Sequence, residues 1–340
     1  MKKCKLLYLL PALAFLSCSE DTITESQAIE EQTSLEINPN VEVAYPDETG
    51  KVTQIYFGGQ MFDVEEIDGE YIYEGDIKFS PEMLSKSPQK LIYEEGETVD
   101  QKSVGRTSGY WPNNTVYYAI DSNLGSKERV TDAIRHWEAN SSIKFVQRTS
   151  QSNYVYFTTG SGCSSYIGMI GGRQNITLAS SCSTGSTIHE IGHAIGLWHE
   201  QSRVDRDKHV KILYENIQSG REHNFKTYAQ SGYDGKEFTS SLDFGSIMMY
   251  GPYSFSSNGK PTIVKADGSV YSVQRSSLST GDKQGINSMY PKTGTEPVYI
   301  HGQYYTISGL IVLRQHDVWY SLTKYGWRKV KLVNNVWYYA

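Results

Sequence analysis

His189-Glu190-Ile191-Gly192-His193-Ala194-Ile195-Gly196-Leu197-Trp198-His199-Glu200 is the stretch on which both fold and chemistry turn. At about 100° per residue on an α-helix, His189 and His193 lie about 40° apart and project to one side. Two imidazoles so placed can grip one metal ion, with zinc the expected one. Glu190 falls beside the metal rather than on it, where a carboxylate takes a proton from a metal-bound water. Gly196 is read as the end of the helix, because glycine enters left-handed backbone conformations at little cost. His199 then closes a third corner and leaves one coordination position open for water and substrate.

Helix phase separates ligands from core. Ile188, Ile191, Ile195 and Trp198 gather near one angle, about 160° from the midpoint of His189 and His193. A lone histidine is more often a satisfied core residue, but three of them plus the glycine at this spacing are much more demanding. About fifty residues on, Ser246-Ile247-Met248-Met249-Tyr250 stands where a zincin of this type carries a methionine turn beneath its metal, with Met248 as the turn methionine.

With these two motifs in place the chain resembles the astacin family of metzincin proteases. Glu200 to Asp207 is similar to the family's extension of the zinc motif, Gly162 to Gly168 to its substrate-side strand, and the likeness runs from about Thr107 to Pro291. The resemblance implies zinc held by His189, His193 and His199, Glu190 as general base and later proton donor, and Tyr250 as a fifth ligand that swings off to hydrogen-bond the oxyanion. It implies peptide hydrolysis without an acyl-enzyme. The fold expected is α+β, a metzincin-like two-lobed catalytic domain over 107–293, with a sheet and the zinc helix in the upper lobe and an irregular lower lobe.

Charge divides the chain sharply. The net charge is -6, yet residues 19–106 hold 6 Lys+Arg against 21 Asp+Glu, while 107–340 is net +6. An acidic front and a basic body suggest a propeptide lying across its own enzyme, the alternative being a merely solvated acidic leader. Tyr73-Glu74-Gly75-Asp76-Ile77 favours the first, because it resembles the astacin propeptide motif whose aspartate ligates zinc, here Asp76, with Tyr73 where the family has Phe. Activation then requires cleavage by another protease, and the cut is placed near Arg106 in a loop-like stretch. In the family the new amino terminus folds toward the glutamate after the third histidine, here Glu200.

Lysines followed by the apolar run Leu6 to Leu16 read as a signal peptide over 1–18, too short for a membrane span. Phe15-Leu16-Ser17-Cys18 resembles a relaxed lipobox, so that Cys18 is a candidate for lipidation; an ordinary secretory signal is the competing reading. Either way the chain is expected to be exported, touching a membrane only through a lipid on the precursor. Of four cysteines, Cys4 and Cys18 belong to the signal, and Cys163 and Cys182 are expected to form a disulfide. The family's second disulfide is missing, since Ser142 and Met289-Tyr290 stand where its cysteines belong.

Val116 to Ile120 and Tyr154 to Thr158 read as strands, and between them Ser126 is read as the cap of a helix carrying Val130, Ile134 and Trp137 on one face. Arg275 resembles part of the family's S1′ pocket and would pair with an acidic P1′ side chain, an exposed solubilising arginine being the alternative. Beyond a linker at Lys292 to Thr295, residues 294–340 read as a small aromatic-rich β module. Val318-Trp319-Tyr320 recurs as Val336-Trp337-Tyr338, and Asn334-Asn335 suggests a hairpin turn. The aromatics serve either its core or a carbohydrate or surface ligand. No phosphate loop or nucleic-acid motif is present. Two function classes therefore stand: a zinc endopeptidase acting on proteins or peptides, and a non-catalytic adhesin working through the aromatic module. Joint presence of Glu190, Tyr250 and Asp76 favours the first.

Overall fold

A ten-stranded mixed sheet joins the acidic N-terminal segment to the body of the chain. The computed structural model describes residues 42–57, 60–79, 81, 84–85, 105–106, 109–231 and 237–291, and in the C-terminal part 302, 304–307, 310–315, 318–323, 326–333 and 336–339. The signal peptide with Cys18, the linker at 292–295 and the Asn334-Asn335 turn lie outside these residues.

The body supplies half of the sheet. Strands β6 (Thr115–Ile120), β7 (Lys144–Gln147), β8 (Tyr154–Thr158) and β10 (Arg173–Leu178) run parallel, and β9 (Cys163–Tyr166) lies antiparallel beside β10. The other half comes from β1 (Lys51–Phe57), β2 (Gln60–Ile67), β3 (Glu70–Tyr73), β4 (Ile77–Phe79) and β5 (Leu84–Ser85), an antiparallel set in the order β5-β1-β2-β3-β4. The seam is β4 on β9, parallel, with Ile77 opposite Ser165 and Lys78 opposite Tyr166. Without β4, β9 would present unpaired backbone groups along the sheet edge.

Helix α1 (Glu128–Asn140) buries Val130, Ile134 and Trp137, as its spacing predicts. Its start differs from expectation. Ser126 has a left-handed φ of 50° and does not cap; the helix begins after Lys127, which makes no side-chain cap bond. Helix α2 (Thr184–Ala194) starts instead with a full capping box between Ser183 and Ser186, and Gly196 follows its end at φ 106°. Ile188, Ile191 and Ile195 enter the main core with α1, the sheet and helix α3 (Thr280–Met289). Trp198 does not join them. The helix has already ended, so its side chain leaves the apolar face and packs with Tyr73, Phe62, Phe79 and Ile167 in a second core shared with the N-terminal segment.

From Glu200 to Lys265 the described residues run through short 3₁₀ turns and a small sheet, β11 (Val210–Ile212) against β12 (Ile263–Lys265), around a third core that includes Phe225, Met249 and Tyr250. The disulfide joins Cys163 to Cys182 across 19 positions. In place of the second disulfide, the Ser142 hydroxyl donates to the Tyr290 carbonyl and accepts from Asn114. The two sites are adjacent, as the family pattern requires, and held by hydrogen bonds.

Residues beyond 302 form a five-stranded antiparallel meander: β13 (Tyr304–Ile307), β14 (Leu310–Gln315), β15 (Val318–Thr323), β16 (Gly326–Val333) and β17 (Val336–Tyr339). The repeated tripeptides lie on β15 and β17, with the Trp319 and Trp337 rings 5.9 Å apart. Among the described residues no helix is long and apolar enough to cross a membrane. Replacing Cys163 and Cys182 by Ser should cost roughly 3 kcal/mol in urea unfolding, the chain-entropy value for a loop of this length.

Candidate metal centre

Helix α2 brings His189 and His193 to one side, and the turn at Gly196 returns His199 to meet them. Their Nε2 atoms converge: His193 to His189 at 3.1 Å and His199 to His189 at 3.3 Å. Each Nδ1 is engaged elsewhere, by the Ile247 carbonyl at 2.8 Å, the Leu197 carbonyl at 2.8 Å and the Glu74 carboxylate at 2.7 Å. An oxygen of these kinds only accepts, so each Nδ1 carries a proton and each Nε2 is the nitrogen left to ligate a metal. Asp76 adds a carboxylate, 3.3 Å from His189 and His199 and 3.5 Å from His193. All four side chains are buried. Three lone pairs and a carboxylate facing one another in a dry site repel unless a cation lies between them. The donor set fits one zinc ion.

Met248 lies under this cluster, fully buried. A Cβ at Gly192 would come within 2.7 Å of its sulfur, so the glycine inside the motif is what lets the methionine turn reach the helix. The turn is held from behind by Asp282, which accepts from the Ser246 hydroxyl at 2.6 Å and the Ile247 amide at 2.9 Å. Glu200 donates its amide to the Met248 carbonyl at 3.0 Å, binding the end of the motif to the same turn.

Glu190 is fully buried and neither carboxylate oxygen has a hydrogen-bond partner. Burial, and then the Asp76 and Glu42 charges, push it well above the usual carboxylate range. The Tyr250 ring is 4.7 Å from that of His199, and its hydroxyl donates to the Glu74 carbonyl. Burial raises the phenol well above its ordinary value, so Tyr250 remains a donor.

The N-terminal segment fills the remaining space. Glu74 and Gly75 adopt left-handed φ values of 48° and 84°, a tight turn that points Asp76 at the cluster. Glu74 also accepts from Ser202. Tyr73, the departure from the family pattern, is buried, and its hydroxyl meets that of Ser231 at 3.3 Å. A second stretch lies alongside: the Val43 carbonyl accepts from the Cys163 amide at 3.0 Å, and the Ala44 amide donates to the Gly75 carbonyl at 2.8 Å. Next to these, Arg275 donates through Nε to both oxygens of Glu42 at 3.0 Å and through a terminal nitrogen to the Met249 carbonyl. Burial raises the Glu42 carboxyl, but the Arg275 guanidinium outweighs it and holds the group below its ordinary value. Arg275 is thus a buried anion partner and not an exposed solubilising residue.

Glu200 is buried, accepts from the Asp243 amide at 2.7 Å, and is raised well above the usual range by burial. It lines a cavity with Leu197, Phe238, Met248 and Asp282. Near the expected cut, Gly105 and Arg106 pack against the body of the chain. Arg106 is buried, its amide donates to the Gly196 carbonyl at 2.8 Å, its guanidinium donates to the Ile167 carbonyl at 3.0 Å, and Gly105 bridges Leu197.

Sequence reading missed Glu42, Glu74, Gly192 and Asp282. Glu74 and Gly192 sat inside quoted motifs, whereas Glu42 and Asp282 have no local signal.

Residues 103–291 match the family description Astacin (Peptidase family M12A). Blastula protease 10 of Paracentrotus lividus is 39% identical over 238 residues, 64% of this chain and 38% of that protein. Zinc metalloproteinase nas-4 of Caenorhabditis elegans is 34% identical over 223 residues, 64% of this chain and 68% of that protein. The solved structure of high choriolytic enzyme 1, a hatching enzyme zinc-protease from Oryzias latipes, aligns at 30% identity and TM-score 0.49 over 54% of this chain and 93% of that one. The chain thus spans well under half the length of blastula protease 10.

A Cβ at Gly162 would fall inside contact distance of the Val43 and Ala44 carbonyls, both in the N-terminal segment. Gly162→Ala should therefore loosen that segment while sparing the metal cluster. Limited proteolysis should cut the segment several-fold faster with one equivalent of zinc still bound.

Proposed function

We propose that this chain, which belongs to the Astacin family, Peptidase family M12A, is an exported zinc endopeptidase made as a latent precursor. The observation that carries this reading is Asp76, a carboxylate of the acidic segment set among three inward-facing imidazoles. Zinc, held by His189, His193 and His199, supplies a Lewis acid and an acidified water.

The chain's own groups do the rest. Glu190 is the base that takes the proton of the attacking water and returns it to the leaving amine. Its free oxygens, directed to no other partner, suit that duty. Tyr250 donates its hydroxyl to the carbonyl oxygen as charge develops there. In the precursor that hydroxyl is spent on the Glu74 carbonyl, and the Asp76 carboxylate would ligate the metal in place of water and substrate. Latency therefore blocks the ligand set and the oxyanion donor together.

The Glu42–Arg275 pair supports a preference for cleavage before acidic residues, since a carboxylate from the same chain already occupies the candidate S1′ arginine. Activation requires another protease, and the burial of Arg106 argues for a cut ahead of Gly105. The cavity beside Glu200 is suited to receive the new amino terminus. A signal at 1–18, lipidation at Cys18 and a carbohydrate or surface ligand for the aromatic module are further parts of the proposal.

Mass spectrometry of peptides released from a denatured protein mixture by the processed enzyme tests the activity. Cleavage should depend on zinc and favour acidic P1′ residues. Glu190→Gln should lower kcat about 1,000-fold with zinc retained, and Tyr250→Phe about 100-fold. Full cleavage by Glu190→Gln would remove the assigned base. In the uncut precursor, Asp76→Ala should raise activity on a fluorogenic peptide, and Asp76→Ala with Glu42→Gln should raise it further; a silent double variant would reject this account of latency.

A further inference from the structure

The N-terminal segment is anchored well away from the metal. Glu65 on β2 forms a buried ion pair with Arg221, and Asp63, two residues earlier on the same face of the strand, pairs with Lys226. Neither cation takes part in the metal cluster, yet Arg221 is linked to it through aromatic side chains. The Arg221 guanidinium lies 5.5 Å from the Phe255 ring, and that ring lies 5.9 Å from Tyr250. Phe225 fills the space between, 6.1 Å from Tyr250 and 6.2 Å from Phe255. Phe255 also packs against Gly75, inside the turn that carries Asp76. A track therefore leads from the oxyanion donor, along aromatic rings, to Arg221, and Lys226 shares the strand that Arg221 holds.

We propose that Arg221, Lys226 and Phe255 form an exosite for acidic polypeptide, uncovered when the N-terminal segment leaves. The inference rests on the endopeptidase reading and names a substrate feature beyond the S1′ pocket. Four observations carry it. The ligand already seated there is an extended strand offering two carboxylates at alternate positions, and a substrate in a cleft of this kind is itself an extended strand with that period. The partners carry opposite net charge, with 6 Lys+Arg against 21 Asp+Glu over residues 19–106, so the site attracts before it binds. Arg221 is held against Phe255, so little freedom remains to be lost when a carboxylate arrives. Lys226 stands at the rim, 42% exposed even beneath the segment. Substrates with a Glu-Xaa-Glu or Asp-Xaa-Glu stretch a few residues from the scissile bond should be held there.

The test uses the processed, zinc-loaded enzyme and peptides sharing one cleavage sequence, flanked by Glu-Xaa-Glu, Gln-Xaa-Gln or Lys-Xaa-Lys. The acidic peptide should show a KM about five-fold lower than the neutral one at equal kcat, with the advantage shrinking as salt rises. Lys226→Glu should abolish that ratio and turn it in favour of the lysine peptide, a charge exchange that a merely structural lysine would not produce. Arg221→Gln should reduce the ratio without reversing it. Equal KM values for acidic and neutral peptides, or an acidic preference that survives Lys226→Glu, would overturn the exosite. If no peptide is cut, the endopeptidase reading fails by itself. Anisotropy of labelled peptides on the Glu190→Gln variant then decides the exosite separately: tighter binding of the acidic peptide upholds it, and equal binding rejects it.

Discussion

Three imidazoles turn their Nε2 atoms toward one another at 3.1 to 3.3 Å, and the surrounding structure serves that constraint. Their outer nitrogens are committed to oxygens from three separate places: the methionine turn, the loop after the helix and the N-terminal segment. Fixing the tautomers this way gives a ring of lone pairs that only a cation relieves. Gly192 is a consequence, because the turn that orients His189 must pass under the helix with Met248 against it. Asp282 is another, since a tight turn carrying free amides in a dry core needs a carboxylate behind it. Asp282 also closes, with Ser279, the capping box that starts α3, so that box supports the metal site as well.

The N-terminal segment answers the same constraint from the other side. It brings a carboxylate to the lone pairs, a carbonyl to Tyr250, a second carboxylate to Arg275 and a strand to the open edge of β9. These contacts come from two stretches far apart in sequence, at 42–44 and 74–78, joined through the Ala44–Gly75 hydrogen bond. A plug made from one short peptide could slide out. One made from a folded sheet with its own buried aromatic core must unpair and unpack together, which makes its loss cooperative.

Where the chain departs from its family, the packing shows how the departure is absorbed. The Tyr73 ring stays in the apolar cluster and its extra hydroxyl meets Ser231. Ser142 and Tyr290 keep the approach of the missing disulfide through a hydrogen bond, in a region already stiffened by the Tyr290 hydroxyl on the Ile195 carbonyl. Such a bond is worth far less than a covalent link, so this corner relies on its surroundings.

The sequence by itself singled out the four side chains that converge, Asp76, His189, His193 and His199, and the phase of α1 and α2, because each depends on spacing along a regular helix or within one short turn. Ile188, Ile191 and Ile195 went to the core as the helical period required, and the period failed for Trp198 as soon as the helix ended. Only the tertiary structure decided what faces what across long separations. Glu42 and Arg275 are 233 residues apart, Glu65 and Arg221 156, and Tyr250 and Glu74 176. No periodicity links such pairs, and a charge count gives the sign of an attraction without its address. The start of α1 and the burial of Arg106 went the same way: a serine or an arginine in a polar stretch reads as a cap or an open loop, and the neighbours brought in by folding settle which it is.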